Sequence, residues 1–179
     1  MSRDFEFVNE LVDAFFKKKK VRDTLKVIGN CDITGWENWF QIEFAVHLDS
    51  NEYVAEWYRE ESYLTDKRIS KGKKRIAVDY LIRKKNHSKD SFIALELKQN
   101  INPGACINGM INDVKKISKV RGSEDNFRCL INIGIHSQVD EKLHKLDVQS
   151  RALRNEVKVI DGCLSIRNIR NTNYAYTVF

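Results

Sequence analysis

The residues best suited to chemistry in this sequence lie on two neighbouring segments, 75–84 and 91–99, that both predict β-strands. Side chains alternate between the two faces of a strand. Alternation places Glu96 and Lys98 on a face of the second strand that begins apolar and ends charged. It also places Asp79 on an otherwise apolar stretch of the first strand. Acids at such positions need a partner or a function.

Asp79 and Glu96 lie directly opposite each other if the two strands pair as a hairpin with residue 84 opposite residue 91. Opposed side chains in such a pair have Cβ atoms about 4.5–5.5 Å apart. Two carboxylates this close cannot both stay ionised in a dry site without a compensating positive charge. Mg²⁺ supplies that charge and prefers carboxylate, water and phosphate oxygens. The pattern therefore predicts a Mg²⁺ site, with Mn²⁺ as a substitute, and puts Lys98 beside the bound water or a substrate phosphate.

Each of these residues also has a simpler interpretation. The tripeptide Glu-x-Lys is frequent in a chain of which 31% is charged, and is usually a solvated strand end. Asp79 alone fits a surface position on a sheet with one solvated face. The functional interpretation is favoured by the combination of both features on apolar strands beside a basic segment.

A third acid, Glu43, lies within segment 36–48, which predicts a helix. On a helical wheel it falls between two tryptophans, and burying a carboxylate there without a partner costs several kcal/mol. Two interpretations stay open. Glu43 either pairs structurally with a Trp N–H or an Arg, or it points at the two strand carboxylates. Glu37 and Gln41 lie elsewhere on the wheel and are weaker candidates.

The rest of the pattern predicts the elements that position these residues. Helices are predicted over about 4–26, 36–48, 104–119 and 138–154, and strands over 53–64, 75–84, 91–99 and 127–135, before a hairpin turning at Asp161–Gly162 and a last strand. The helix between the strands at 91–99 and 127–135 is long enough for a parallel crossover. The predicted class is α/β or α+β, a mixed sheet with helices on both faces.

The length of 179 residues predicts a single domain over 1–179. No apolar run approaches the roughly 18 residues of a membrane span, and the first residues lack the apolar region of a secretory signal. The four cysteines form no CxxC pair and have no zinc-ligand spacing, which is typical of free thiols in a reducing compartment. We therefore expect a cytoplasmic protein without a membrane partner.

Positive charge is concentrated in one part of the chain, whose net charge is +6. Residues 67–85 contain nine basic side chains and a single acid, Asp79. Such a cluster suits a polyanion, and nucleic acid is the commonest one. The candidate contacts are Lys71, Lys73, Lys74 and Arg75. A solvated surface is the alternative.

Taken together, the pattern resembles the PD-(D/E)XK nuclease superfamily, which has the restriction-endonuclease-like fold. The matching residues are Glu43 on an early helix, Val78-Asp79 on one strand and Glu96-Leu97-Lys98 on the next. The order helix, three strands, helix, strand over about 36–135 also resembles that family's core. The chain departs from the pattern in the family's name at Val78, which stands where a proline would be.

The resemblance implies a core sheet of about four strands and a Mg²⁺-dependent phosphodiesterase site. By matching position, it implies that Asp79 and Glu96 bind the metal and that Lys98 positions or activates the attacking water. It further implies that Glu43 completes the metal shell and that Gln99 lines the site.

These expectations lead to one main hypothesis, a metal-dependent endonuclease acting on DNA in restriction, repair, recombination or phage biology. One alternative is a catalytically idle module of the same fold that binds nucleic acid or a protein. Another is an enzyme that uses the same site on RNA. The parts outside the motif, a helix over 4–26 and an extension over 136–179, are left open as a homodimer interface or a device for substrate selection.

Overall fold

The computed structural model describes residues 2–66, 75–89, 91–120 and 127–179. The helices of this part of the chain are α1 (Ser2–Lys17), α2 (Lys19–Asn30), α3 (Glu37–Asp49), α4 (Pro103–Ile117) and α5 (Glu141–Arg154). The strands are β1 (Val54–Leu64), β2 (Arg75–Lys84), β3 (Phe92–Gln99), β4 (Phe127–Ser137), β5 (Ser165–Asn168) and β6 (Tyr174–Val178). The order and type of the elements from α3 to β4 agree with the prediction.

The strands form one mixed sheet in the order β1-β2-β3-β4-β6-β5. β3 and β4 are parallel and are connected through α4, while the other neighbouring strands are antiparallel. The predicted parallel crossover is therefore confirmed, as is the mixed α/β class. β6 extends the sheet beyond β4, so the C-terminal residues belong to the same sheet as the candidate site.

Helices cover both faces of this sheet. Residues of α1, α2 and α3 form the largest apolar cluster with the face of β3 that contains Leu95 and Leu97. The opposite face contains Ala94 and packs against Ile117 at the end of α4, and α4 also packs against α5. Glu96 and Lys98 share the α4 face with Ala94, because side chains alternate along a strand.

The N-terminal helix predicted over 4–26 is wrong, because two helices stand in its place. Lys18 has an extended backbone, with φ −64° and ψ 127°, and separates α1 from α2. On one continuous helix, Leu25 would lie about 80° around the axis from Phe15. The break allows both side chains to be buried in one core, where Phe15 is 1% exposed and Leu25 is 0% exposed.

The predicted C-terminal hairpin is also wrong, although its turn exists. Gly162 has φ +79°, and the N–H of Cys163 donates to the carbonyl of Ile160 over 2.9 Å. The residues before this turn are not a strand, because Val157 and Val159 pack against the cluster of α4 and α5. The observed hairpin pairs β5 with β6.

Among the described residues, no helix has both the length and the apolar character needed to cross a membrane. All four cysteines have free thiols, and only Cys31 is exposed.

Candidate active site

The candidate site lies where β2 and β3 part. Their ladder pairs Tyr80 with Leu95, Leu81 with Ala94 and Ile82 with Ile93, which is the predicted register. One step further this register would pair Asp79 with Glu96, but the ladder ends there.

The carboxylate of Asp79 fills the gap that opens beyond the ladder. Its Oδ2 accepts a hydrogen bond from the backbone N–H of Leu97 over 2.7 Å. Two residues further along β3, the N–H of Gln99 donates to Oε2 of Glu37 over 3.2 Å. N–H groups two residues apart on a strand point to the same side. Two carboxylates therefore satisfy backbone donors that a paired β2 would otherwise have satisfied.

The pairing of β2 with β1, on the other edge of β2, is also interrupted at Asp79. The β1–β2 ladder pairs Arg59 with Tyr80 and Glu61 with Val78, and skips the residues between them. The skipped residue of β1, Glu60, has φ +56°, a conformation that costs free energy for a residue other than glycine. The strict alternation predicted for β2 is wrong, since Val78 packs with Leu81 on the α4 face.

Helix α4 brings two further charged residues to the site. The helix begins at Pro103, and Asn102 caps it by accepting from the N–H of Ala105 over 2.9 Å. Three turns later, Asp113 and Lys116 lie on the side of the helix that meets β3. The Nζ of Lys116 lies 3.5 Å from Oε1 of Glu96.

The lysine of β3 makes the complementary contact. The Nζ of Lys98 lies 3.4 Å from Oδ2 of Asp113. Glu96 of β3 therefore contacts Lys116 of α4. In the same way, Lys98 of β3 contacts Asp113 of α4. Five charged side chains meet in this region, three of them acidic.

Burial and crowding make the carboxylates weak acids. Burial and, second to it, the negative charge of Asp79 raise the pKa of Glu96 to about 8, against the opposing effect of Lys116. Burial also raises the pKa of Asp79, against the hydrogen bond from Leu97. Glu96 is only 3% exposed. A further positive charge is therefore needed before both carboxylates can be ionised together.

The lysine of the site stays charged in spite of its partial burial. Burial works to lower the pKa of Lys98, but Asp113 and Glu37 outweigh it, and the pKa is raised. An ammonium group in this position stabilises negative charge on a neighbouring group.

The donor chemistry of the site fits a hard divalent cation. Mg²⁺ takes one or two carboxylates and completes its shell with water and substrate phosphate. Asp79 and Glu96 are two neighbouring oxygen donors whose ionised forms a cation would stabilise, and Oδ2 of Asp113 is a buried atom without a hydrogen bond in the described part of the chain. In that part of the chain no group of three His, Cys, Asp or Glu side chains is arranged to hold a metal ion. Asp79 and Glu96 therefore fit as ligands only together with water or substrate oxygens.

Glu43 is not brought to this cluster. Its Oε1 lies 2.8 Å from Nζ of Lys20 on α2, and its side chain is 18% exposed. Within the described residues Glu43 has no recorded contact with Asp79 or Glu96, and its partner is a lysine and not the Trp N–H or Arg of the structural interpretation. The acid of α3 that reaches β3 is Glu37, which the helical wheel ranked lower.

The predicted nucleic-acid contacts are only partly described. Lys71, Lys73 and Lys74 lie outside the described residues. Arg75 is exposed at the start of β2 and donates from Nη2 to the carbonyl of Ser62 over 2.7 Å.

Gln99 lines a cavity of about 570 Å³ at the end of β3, together with Asn100, Trp36 and Tyr174. Strand alternation puts the Gln99 side chain on the opposite face from Lys98. The cavity therefore adjoins the charged cluster but does not contain it.

Sequence reasoning ranked Glu37 below Glu43 and missed Asp113 and Lys116. A signal existed for the last two. On a helical wheel Ile107, Ile111, Val114 and Ile117 form one apolar stripe, and charged residues bordering such a stripe lie at the rim of the buried face.

No family model, curated protein or solved structure matches this chain.

Proposed function

We propose that this protein is a metal-dependent nuclease that hydrolyses phosphodiester bonds in DNA. The observation that supports the proposal best is the proximity of Asp79 and Glu96 at the point where β2 and β3 part. Glu96 is buried and Asp79 is half-buried, and both acids have raised pKa values and lie near a charged lysine. A purely structural role explains the hydrogen bond that Leu97 donates to Asp79, but it does not explain why Glu96 is buried nearby with a raised pKa in spite of its contact with Lys116.

In this proposal Asp79 and Glu96 would hold one Mg²⁺ ion, with Mn²⁺ as a substitute. A bound Mg²⁺ supplies Lewis-acid polarisation of the phosphate and a more acidic water. Lys98 orients the attacking water, and its ammonium offsets the negative charge that grows on the phosphate oxygens. The water oxygen bonds to phosphorus and releases a proton to solvent, one P–O ester bond breaks, and the leaving oxygen takes up a proton from solvent.

Cleavage assays test the proposal directly. Purified protein is incubated with plasmid, linear and single-stranded DNA, and with RNA, in Mg²⁺, Mn²⁺ or EDTA. We expect metal-dependent cleavage that Glu96→Gln and Lys98→Met each reduce by roughly 10²–10³-fold, the usual effect of removing one electrostatic contributor. The matched control is Glu6→Gln, which changes an exposed acid on α1.

The assays also separate the alternatives. Cleavage of RNA alone would support the second substrate class. Calorimetry that detects no divalent-metal binding, even with DNA present, would support the idle binding module. Full activity in Glu96→Gln, with contaminating nuclease excluded, would refute the site.

The basic segment before β2 is proposed to hold the DNA backbone. Each phosphate contact releases counterions, so the log–log dependence of affinity on salt has a slope of about −0.9 per contact on duplex DNA. We expect the triple change of Lys71, Lys73 and Lys74 to Ala to make this slope shallower for all sequences. Three exposed lysines elsewhere, Lys142, Lys145 and Lys158, provide the control triple variant. Titrations use Ca²⁺ in place of Mg²⁺ to suppress cutting.

A further inference from the structure

The side chain of Lys98 lies against α4 at a glycine. A Cβ atom added at Gly109 would lie 3.1 Å from Cδ and 3.2 Å from Cγ of Lys98. These distances are shorter than ordinary van der Waals contact, so a larger residue at this position would push the lysine stem aside. Gly109 also lowers the stability of the helix, since glycine is the least favourable residue in a helix interior apart from proline.

The end of the same side chain meets Asp113, one helical turn after Gly109. Residues four apart lie on the same face of a helix, so the glycine and the acid flank successive parts of one lysine. The Nζ of Lys98 lies 3.4 Å from Oδ2 of Asp113, and the Asp113 side chain is 15% exposed.

Asp113 is not fully explained as a structural residue. Its Oδ2 is buried and has no hydrogen bond within the described residues, although Lys98 lies at ion-pair distance. A buried carboxylate oxygen without a hydrogen bond is destabilising. The contact with Lys98 therefore acts through charge and does not satisfy a buried acceptor.

We propose that Gly109 and Asp113 are positioning residues that fix the ammonium of Lys98 at the charged cluster that contains Asp79 and Glu96. Gly109 provides the space in which the lysine stem lies, and Asp113 holds the charged end. The proposal rests on the proposed function, because the position of Lys98 matters for catalysis only if the site cleaves a phosphodiester. A misplacement of about 1 Å can cost roughly 10²-fold in rate.

The decisive variant is Gly109→Ala, because a positioning role and a structural role predict opposite results. Alanine raises helix propensity, and the atom it meets is in a flexible side chain. We expect the melting temperature to stay equal or rise while kcat falls at least tenfold. Gly104→Ala is the matched control, since its Cβ would meet the guanidinium of Arg151 instead of Lys98.

Asp113→Asn removes the charge and keeps the shape. We expect kcat to fall 10- to 100-fold with KM within about twofold, and Asp113→Glu to restore part of the loss because it keeps the charge. The control on the same helix is Lys116→Met. Lys116 contacts Glu96 and not Lys98, so this variant should leave the Lys98 side chain ordered.

NMR relaxation of the Lys98 Cε methylene gives a readout that does not depend on activity. We expect its order to fall in Asp113→Asn towards that of the exposed Lys142. If Asp113→Asn and Gly109→Ala both leave the order of the Lys98 side chain and kcat unchanged, the positioning role is overturned while the proposed function stands. A wild-type protein that cleaves nothing, but whose Lys98 loses order in the variants, would refute the proposed function and leave the restraint by α4 in place.

Discussion

Replacing Glu96 by Gln should stabilise the protein, and more so at high pH. The substitution keeps the shape of the side chain and removes its ability to ionise. Glu96 is buried, and its pKa is raised from 4.5 to about 8. Between these two values the folded protein keeps a proton that the unfolded chain has lost. The stability of the wild type therefore falls as the pH rises through this window.

The size of the effect follows from the same two pKa values. Each tenfold change in proton affinity corresponds to about 1.4 kcal/mol. For an isolated group, this shift in pKa lowers the unfolding free energy of the wild type by about 3 kcal/mol between pH 5 and pH 8. The variant lacks this pH dependence, and its advantage over wild type should grow by that amount from pH 5 to pH 8.

Urea denaturation at pH 5, 6.5 and 8 measures this difference, with Glu6→Gln as the exposed control. A stability difference between wild type and Glu96→Gln that is the same at pH 5 and pH 8 would refute the reasoning. Adding Mg²⁺ to the denaturation experiment gives a second, independent test. A ligand that binds only the folded state stabilises it, so Mg²⁺ should stabilise the wild type at pH 8 and leave Glu96→Gln unchanged.

Three further predictions concern other parts of the fold. Burial lowers the pKa of His136 from 6.5 to about 4. The wild type should therefore lose about 3 kcal/mol of stability as the pH falls through that range. His136→Gln should show a flatter dependence of stability on pH in urea titrations. Gly134→Ala places a Cβ against Sδ of Met110 and should destabilise the fold by about 1–3 kcal/mol in the same assay. An unchanged denaturation midpoint would contradict that packing. Asn102→Ala removes the cap of α4 and should lower stability by about 1 kcal/mol, whereas Asn102→Ser should retain most of it.

The positions of Asp79, Glu96 and Lys98 could be predicted because strand patterns are local. An acid within an apolar run of ten residues can be recognised without knowing what packs against it. The register followed from the short connection between the strands, and three observed pairs agree with it. The break between α1 and α2 also had a local signal, since the apolar stripe changes phase after Phe16.

Other parts of the site depend on how elements are placed in space. A helical wheel gives the angle between Glu37 and Glu43, but not which angle faces β3, and the ranking of the two was wrong for that reason. The contact of Asp113 with Lys98 depends on the position of α4 over the sheet. The positive φ of Glu60 has no signal in the sequence, because glutamate is not among the residues that favour that conformation.

The parting of β2 and β3 also makes the join between these two strands weaker than the join between β3 and β4. Three ladder pairs join these strands, whereas the β3–β4 ladder runs from Phe92 to Gln99. Proteins open in cooperative units whose boundaries fall where few interactions cross. The β1–β2 ribbon should therefore separate from the rest of the sheet at a lower free energy than β3 separates from β4. Native-state hydrogen exchange would register this as two classes of amide protection, with the boundary running through the charged cluster.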